Sequence, residues 1–208
     1  MQFDATTINM LVKGIWETIY MVFLSSALSY VIGIPLGIAL VVTDREGISP
    51  VPLFNKVLGL IINLLRSVPF IVGKTIGSNA TVVPLIIAAA PYIGRMVESS
   101  LKEVDAGVIE AAKSMGASTW QIIVKVLLPE AKPSLLVGAA ISVTTILGYS
   151  AMAGFTGGGG LGDIAIRYGY HRYQTDMMMV TVVLLVIIVQ LIQEVAMRMS
   201  RKSDKRIR

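Results

Sequence analysis

The sequence predicts an all-α integral membrane protein with about five transmembrane helices and a cytoplasmic loop, and three observations carry that reading. Of 208 residues, 54% are hydrophobic and only 15% charged, where a soluble domain carries about 25% charged residues. The apolar residues gather in runs close to the ~20 residues a helix needs to cross a bilayer core. The basic residues fall between those runs and at the C-terminal end, not evenly along the chain. Together with a mean hydropathy of +0.74, these features argue against a disordered chain, a soluble enzyme or a coiled coil. A net charge of +5 could point to nucleic acid, but cations placed at span ends fit a bilayer, and no nucleic-acid partner is expected. The absence of cysteine excludes disulfides, thiolate zinc sites and thiol catalysis.

The first span is expected within residues 15–42, where Glu17 is the only charge and Gly33-Ile34-Pro35-Leu36-Gly37 predicts a kink. Nothing before it has the basic cluster of a cleavable signal, so the span is expected to stay as an anchor. The run 57–72 is short and holds Arg66 and Pro69; the run 81–97 carries Pro84 and Pro91. Residues 134–153 are uncharged, and 177–195 have Glu194 as their one charge. If all five cross, one side holds Arg45, Lys56, Arg95, Lys102, Lys113, Lys125, Lys132 and the six basic residues of the tail 198–208. The other side holds only Lys13, Lys74, Arg167 and Arg172. Positive residues stay inside, which predicts an outside N-terminus and a cytoplasmic tail. The whole chain, 1–208, reads as one transmembrane domain, with its cytoplasmic loop at about 98–133.

That loop contains two short helices. Ala111, Ala112 and Met115 fall on one face of the first, and small side chains there would let a partner surface approach closely. Gly116 suits a helix end followed by a sharp turn. Ser118 can cap the next helix, which runs through Trp120, Ile122, Ile123 and Val126 and is expected to stop before Pro129. An amphipathic hairpin lying on lipid headgroups is the plainer alternative.

Two glycine patterns mimic nucleotide sites. Gly157-x-Gly159-x-x-Gly162 lacks a preceding strand and reads as a tight turn returning the chain to the membrane. Gly73-Lys74-Thr75 lacks the first glycine of a phosphate loop, since position 68 is Val68. No cofactor is therefore expected in this chain, and no metal or catalytic residue. Arg66 reads either as a functional buried charge or, because its run is short, as a cation reaching the cytoplasmic interface. His171, in a polar loop beside Arg172, is assigned no chemistry.

Glu110-Ala111-Ala112, Gly116, Val126 and Leu128-Pro129 reproduce the signature of ABC importer permeases, Glu-Ala-Ala, three residues, Gly, nine residues, Ile, one residue, Leu-Pro, with Val126 as the one departure. Leu65-Arg66-Ser67-Val68-Pro69-Phe70, Val97-Glu98-Ser99-Ser100-Leu101, Gly148-Tyr149-Ser150-Ala151-Met152-Ala153-Gly154, Arg167-Tyr168-Gly169-Tyr170 and the segment 157–163 extend the likeness along nearly the whole chain. They resemble the permease subunit of bacterial methionine importers. One departure stands out, since that family has a fuller second crossing, whereas here Phe70-Ile71-Val72 runs straight into Gly73.

The resemblance implies a multi-pass protein of the bacterial inner membrane, without enzymatic activity of its own. It implies a homodimer, two cytoplasmic ATPase subunits that carry ATP and magnesium, and a substrate-binding lipoprotein outside. Glu110, Ala111, Ala112, Met115 and Gly116 would couple to the ATPases, and methionine or a related amino acid would move inward by alternating access. The pathway is expected to draw on the polar residues of the fourth span: Ser142, Thr144, Thr145, Tyr149 and Ser150. Met152 is a gate candidate beside the glycine turn, where small neighbours let two copies approach. A stand-alone secondary transporter would need acids within the spans, and their central parts carry none. A membrane scaffold that moves no solute is the remaining alternative.

Overall fold

The structure is a computed structural model that describes residues 4–67 and 76–203. These residues are almost wholly helical, with no strand among them. In order they form α1 (Ala5–Val42), α2 (Pro52–Ser67), α3 (Ser78–Lys102), α4 (Ala106–Ser114), α5 (Thr119–Ile122), a π-helical turn (Ile123–Leu127), α6 (Leu128–Met152), a 3₁₀ turn (Ala153–Thr156), α7 (Gly160–Ile164), a second π-helical turn (Ala165–Tyr170) and α8 (Thr175–Ser203).

Among the described residues, four stretches are long and apolar enough to cross a membrane: Ala5–Val42, Ser78–Lys102, Thr119–Thr156 and Thr175–Ser203. The expected second crossing is described only in part. That part is α2, 16 residues, or about 24 Å at 1.5 Å per residue. Residues 68–72 of that run, and Gly73-Lys74-Thr75, lie outside the described residues. One correction concerns the helix expected to stop before Pro129. It continues from α5 through the π turn into α6. At the turn the Leu128 N–H donates to the Ile123 carbonyl, five residues back. A proline ring clashes with the carbonyl four residues before it, and a local π register of this kind is how membrane helices absorb proline.

Packing groups the chain into two compact units, Met1–Leu28, Pro69–Ala89 and Ser142–Glu194 in one, and Ser29–Val68, Ala90–Ile141 and Val195–Arg208 in the other. Each of α1, α3, α6 and α8 contributes to both.

In the first unit, the Asp4 carboxylate opens α1 by accepting the Thr6 hydroxyl at 2.7 Å and the Ala5 N–H at 2.8 Å, bonds that hold its pKa below the usual value. Leu11, Leu161, Ile164 and Met177 form a buried cluster, with Met10, Ile15, Tyr168 and Val180 packed around it. The glycine segment is the turn expected from its sequence, with Gly157, Gly159 and Gly160 all at positive φ. Gly159 has no side chain to cap α7. The cap comes from α1 instead: Glu17 Oε2 accepts the Gly160 N–H at 2.8 Å, and Thr18 Oγ1 accepts the Leu161 N–H at 2.9 Å. Thr18 also donates to the Gly14 carbonyl at 2.8 Å. A Thr18→Val substitution keeps the shape but strands a buried N–H, at a cost of about 1–3 kcal/mol. The expected result is a lower melting temperature in detergent for Thr18→Val, with Thr18→Ser close to the parent; equal temperatures for all three would contradict the cap.

In the second unit, Gly33 and Gly37 form a notch on α1. A Cβ on Gly33 would stand 2.5 Å from Ile93 Cγ2, and one on Gly37 2.6 Å from Val97 Cβ. Glycines four apart let helices approach closely. The segment expected to kink α1 also seats α3, and Pro35 lies inside the helix. Asn55 ties the start of α2 to the end of α1, donating to the Leu40 carbonyl at 2.6 Å and to Thr43 Oγ1 at 3.1 Å. Ser134 donates to Ser100 at 3.1 Å, and Ser200 to the Pro133 carbonyl at 3.1 Å.

Candidate coupling surface and pathway face

The α4–α5 segment is built by local hydrogen bonding. Asp105 caps α4 by accepting the Gly107 N–H at 2.7 Å. At the other end Gly116 adopts φ +79°, as a glycine after a helix C-terminus does. The Gly116 N–H donates to the Lys113 carbonyl at 2.9 Å, and the Ala117 N–H to the Ala112 carbonyl at 3.1 Å. Ser118 and Gln121 then form a reciprocal capping box that starts α5. Two caps around one left-handed glycine fix the angle between the helices.

The exposed face differs from the expected one. Ala112 is only 5% exposed. It faces into the chain, where α4 packs beside α5 and the π turn. Its small size serves that packing, so it does not meet a partner as expected. The outward face of α4 is Val108, Ala111 and Met115, at i, i+3 and i+7, with Glu110 and Gly116 also exposed. Met115 is 81% exposed and Trp120 71%, and Val124 continues the apolar surface into the π turn. Val108 and Trp120 were missed as surface anchors. The i, i+7 spacing of Val108 and Met115 was the available signal.

On α6, Met152 is 46% exposed and Gly148 is open, with no atom within 4 Å of a Cβ built there. Thr144, Thr145 and Tyr149 are half-buried, and Gln193 donates weakly to Thr144 at 3.5 Å. Ser142 and Ser150 are buried. Ser150 donates to the Leu147 carbonyl at 2.8 Å, so its hydroxyl is turned inward and is not offered to a pathway as expected. The open face of this segment is Thr145, Gly148 and Met152, spaced i, i+3 and i+7. Arg66 is exposed in the last turn of α2, which fits its interface reading. His171 is exposed and meets the edge of Tyr170, ring centroids 5.5 Å apart. Asp163 pairs with Arg167. No cluster of metal-ligating residues occurs among the described residues.

Several membrane-length helices and a helical elbow with an exposed apolar crest are the features of a multi-pass membrane protein. A family model described as "Binding-protein-dependent transport system inner membrane component" matches residues 30–208. The chain belongs to that family of inner-membrane permease components. It is 46% identical to the probable D-methionine transport system permease protein MetI of Vibrio cholerae, over 99% of this chain and 97% of the relative. That alignment runs over 218 positions, more than the 208 residues here. The relative therefore carries residues with no counterpart in this chain. A solved structure of the MetNI methionine ABC transporter, in an inward-facing conformation, contains a chain 42% identical, with TM-score 0.94 over 97% of this chain and all of that one. An amino acid ABC transporter solved with histidines shares the fold, at TM-score 0.77 and 16% identity over 97% of this chain and all of that one.

Proposed function

We propose that the chain is the permease subunit of an ATP-driven importer of methionine, D-methionine included, or a close analogue. It works as a homodimer, with two ATPase subunits docked on α4 and α5 and a lipid-tethered binding protein delivering substrate from outside. ATP and magnesium belong to the ATPases. The observation that carries this reading is the exposed crest of Val108, Ala111, Met115 and Trp120, built around the left-handed Gly116 within the Glu-Ala-Ala signature. Exposed large apolar side chains mark a surface that binds protein or membrane, and the Glu-Ala-Ala signature supports protein. When the ATPases close on ATP, the elbow moves, and the continuous helix from α5 to α6 carries that movement toward the face of Thr145, Gly148 and Met152, which we assign to the pathway with Met152 as its gate. A secondary transporter would need a free intramembrane acid, but Glu17 is engaged by the Gly160 N–H and lies 3.8 Å from Lys13.

The test is co-expression with the candidate ATPase, followed by purification in detergent and uptake of labelled methionine into proteoliposomes. The expected result is a stable complex, ATP-dependent uptake and a cytoplasmic report from a tag at the C-terminus. Cysteines replacing Met152 in the two copies should cross-link in at least one nucleotide state. A chain that purifies alone and moves methionine without ATP would overturn the reading, and absence of the cross-link in every state would remove the gate.

A further inference from the structure

We infer that Arg95, Glu98, Lys102 and Asp44 form a chain of positioning residues that ties α2 and the turn after α1 to the elbow, and so moves α2 with the docked ATPase. This inference rests on the function proposed above.

The chain of contacts lies within one compact unit. Arg95, on α3, reaches α2 with one nitrogen, donating to the Gly59 carbonyl at 3.0 Å and to Asn63 Oδ1 at 3.1 Å. Gly59 is the residue that permits this, since a Cβ there would stand 3.1 Å from Arg95 Nη2. The other guanidinium nitrogen donates to Glu98 at 2.7 Å. The second oxygen of Glu98 takes Lys102 at 3.0 Å, and Lys102 also meets Asp44 at 2.8 Å. The hydrogen bond from Lys102 holds the Asp44 carboxyl below its usual range, so the link stays charged at neutral pH. Asp44 lies in the turn between α1 and α2. The same turn receives Lys113 of α4, whose ammonium donates to the Gly47 carbonyl at 3.4 Å. From Lys102, α3 leads within three residues to Asp105, the cap of α4.

Isolated surface ion pairs add little stability, and α2 has its own backbone bonds. What this arrangement adds is direction. The planar guanidinium of Arg95 divides its two terminal nitrogens between the Glu98 carboxylate on one side and Gly59 and Asn63 on the other, so it holds a short helix at mid-length in a fixed direction. Asn55 grips the same helix at its start. A helix with few buried residues of its own, Gly59 and Ile62, thus takes its position from polar contacts to its neighbours. One end of the chain of contacts holds α2, and the other, at Lys102 and Asp44, returns to the elbow by two routes, through Asp105 and through the contact of Lys113 with the Gly47 carbonyl.

The experiment uses the full chain in complex with its ATPase, in proteoliposomes with labelled methionine, and reads methionine moved per ATP hydrolysed. Glu98→Gln breaks the centre of the chain. Asp44→Asn breaks its far end, in the turn between α1 and α2. Asp44→Glu preserves the charge. The expected result is an unchanged yield of complex and retained ATP hydrolysis for all three. Transport per ATP should fall about fivefold or more for Glu98→Gln, fall less for Asp44→Asn, and return toward the parent for Asp44→Glu. Parent-like transport per ATP in Glu98→Gln and Asp44→Asn overturns the inference. So does a loss of uptake and hydrolysis in equal proportion, which would mark a merely structural role. A parent chain that neither binds the ATPase nor transports methionine overturns the functional reading itself, and is seen before any variant is made.

Discussion

Gly116→Val is expected to cut methionine uptake at least about tenfold while leaving the chain folded in the membrane. The residue stands at φ +79° with nothing within 4 Å of a built Cβ, so the penalty lies in the backbone and not in a clash. A β-branched residue held in the left-handed region costs about 1–3 kcal/mol. Relaxing that strain would break the bonds from Gly116 and Ala117 to the last carbonyls of α4, and Met115 and Trp120 would no longer present one crest. About 1.4 kcal/mol lost from docking is a tenfold change in affinity. Gly116→Asn, which tolerates the left-handed conformation, should fall between valine and the parent. Pull-down of the ATPase and proteoliposome uptake read both effects, and valine performing as well as asparagine would show that the turn does not set docking.

The largest structural effect is expected from Gly162→Val. A Cβ at Gly162 would stand 2.3 Å from the Ala151 carbonyl oxygen and 2.6 Å from its Cα, and one at Gly154 would stand 2.4 Å from the Gly162 carbonyl carbon. These neighbours are backbone and cannot turn aside as a side chain can. The cost should reach or exceed the ~1–3 kcal/mol of ordinary overpacking. Size-exclusion chromatography of the extracted protein should show the monodisperse peak lost for Gly162→Val and kept for Gly148→Ala, where the space is open. A normal peak for Gly162→Val would mean that the chain after α6 packs differently.

The elbow was legible because its signals are local. Gly116, the Ser118 cap and the Glu-Ala-Ala spacing act within a few residues and need no distant partner. The burial of Ala112 was not legible, since it depends on the π turn packing beside α4, and a π register leaves no periodic mark in the sequence. Pro129 read as a stop for the same reason. The close packing of Gly33 and Gly37 was not legible, since it depends on Ile93 and Val97 some sixty residues later. Four of the expected crossings follow from hydropathy alone. The second, with α2 at 16 residues, is where composition and length disagreed from the start. On α6, polarity picked out Ser150 as a pathway group, whereas its bond to the Leu147 carbonyl takes up that polarity locally.

The cap that α1 lends to α7 fixes an order of events during synthesis. Glu17 and Gly160 are 143 residues apart. At about 5–20 residues per second, Glu17 emerges roughly 7–30 s before the N–H that it will accept. Throughout that interval its carboxylate has no α7 to bind, and the first helix waits with its contact face unfastened. A late segment thus closes back on an early one. A chain stalled before Gly160 leaves Glu17 and Thr18 without the backbone N–H groups they accept in the finished fold.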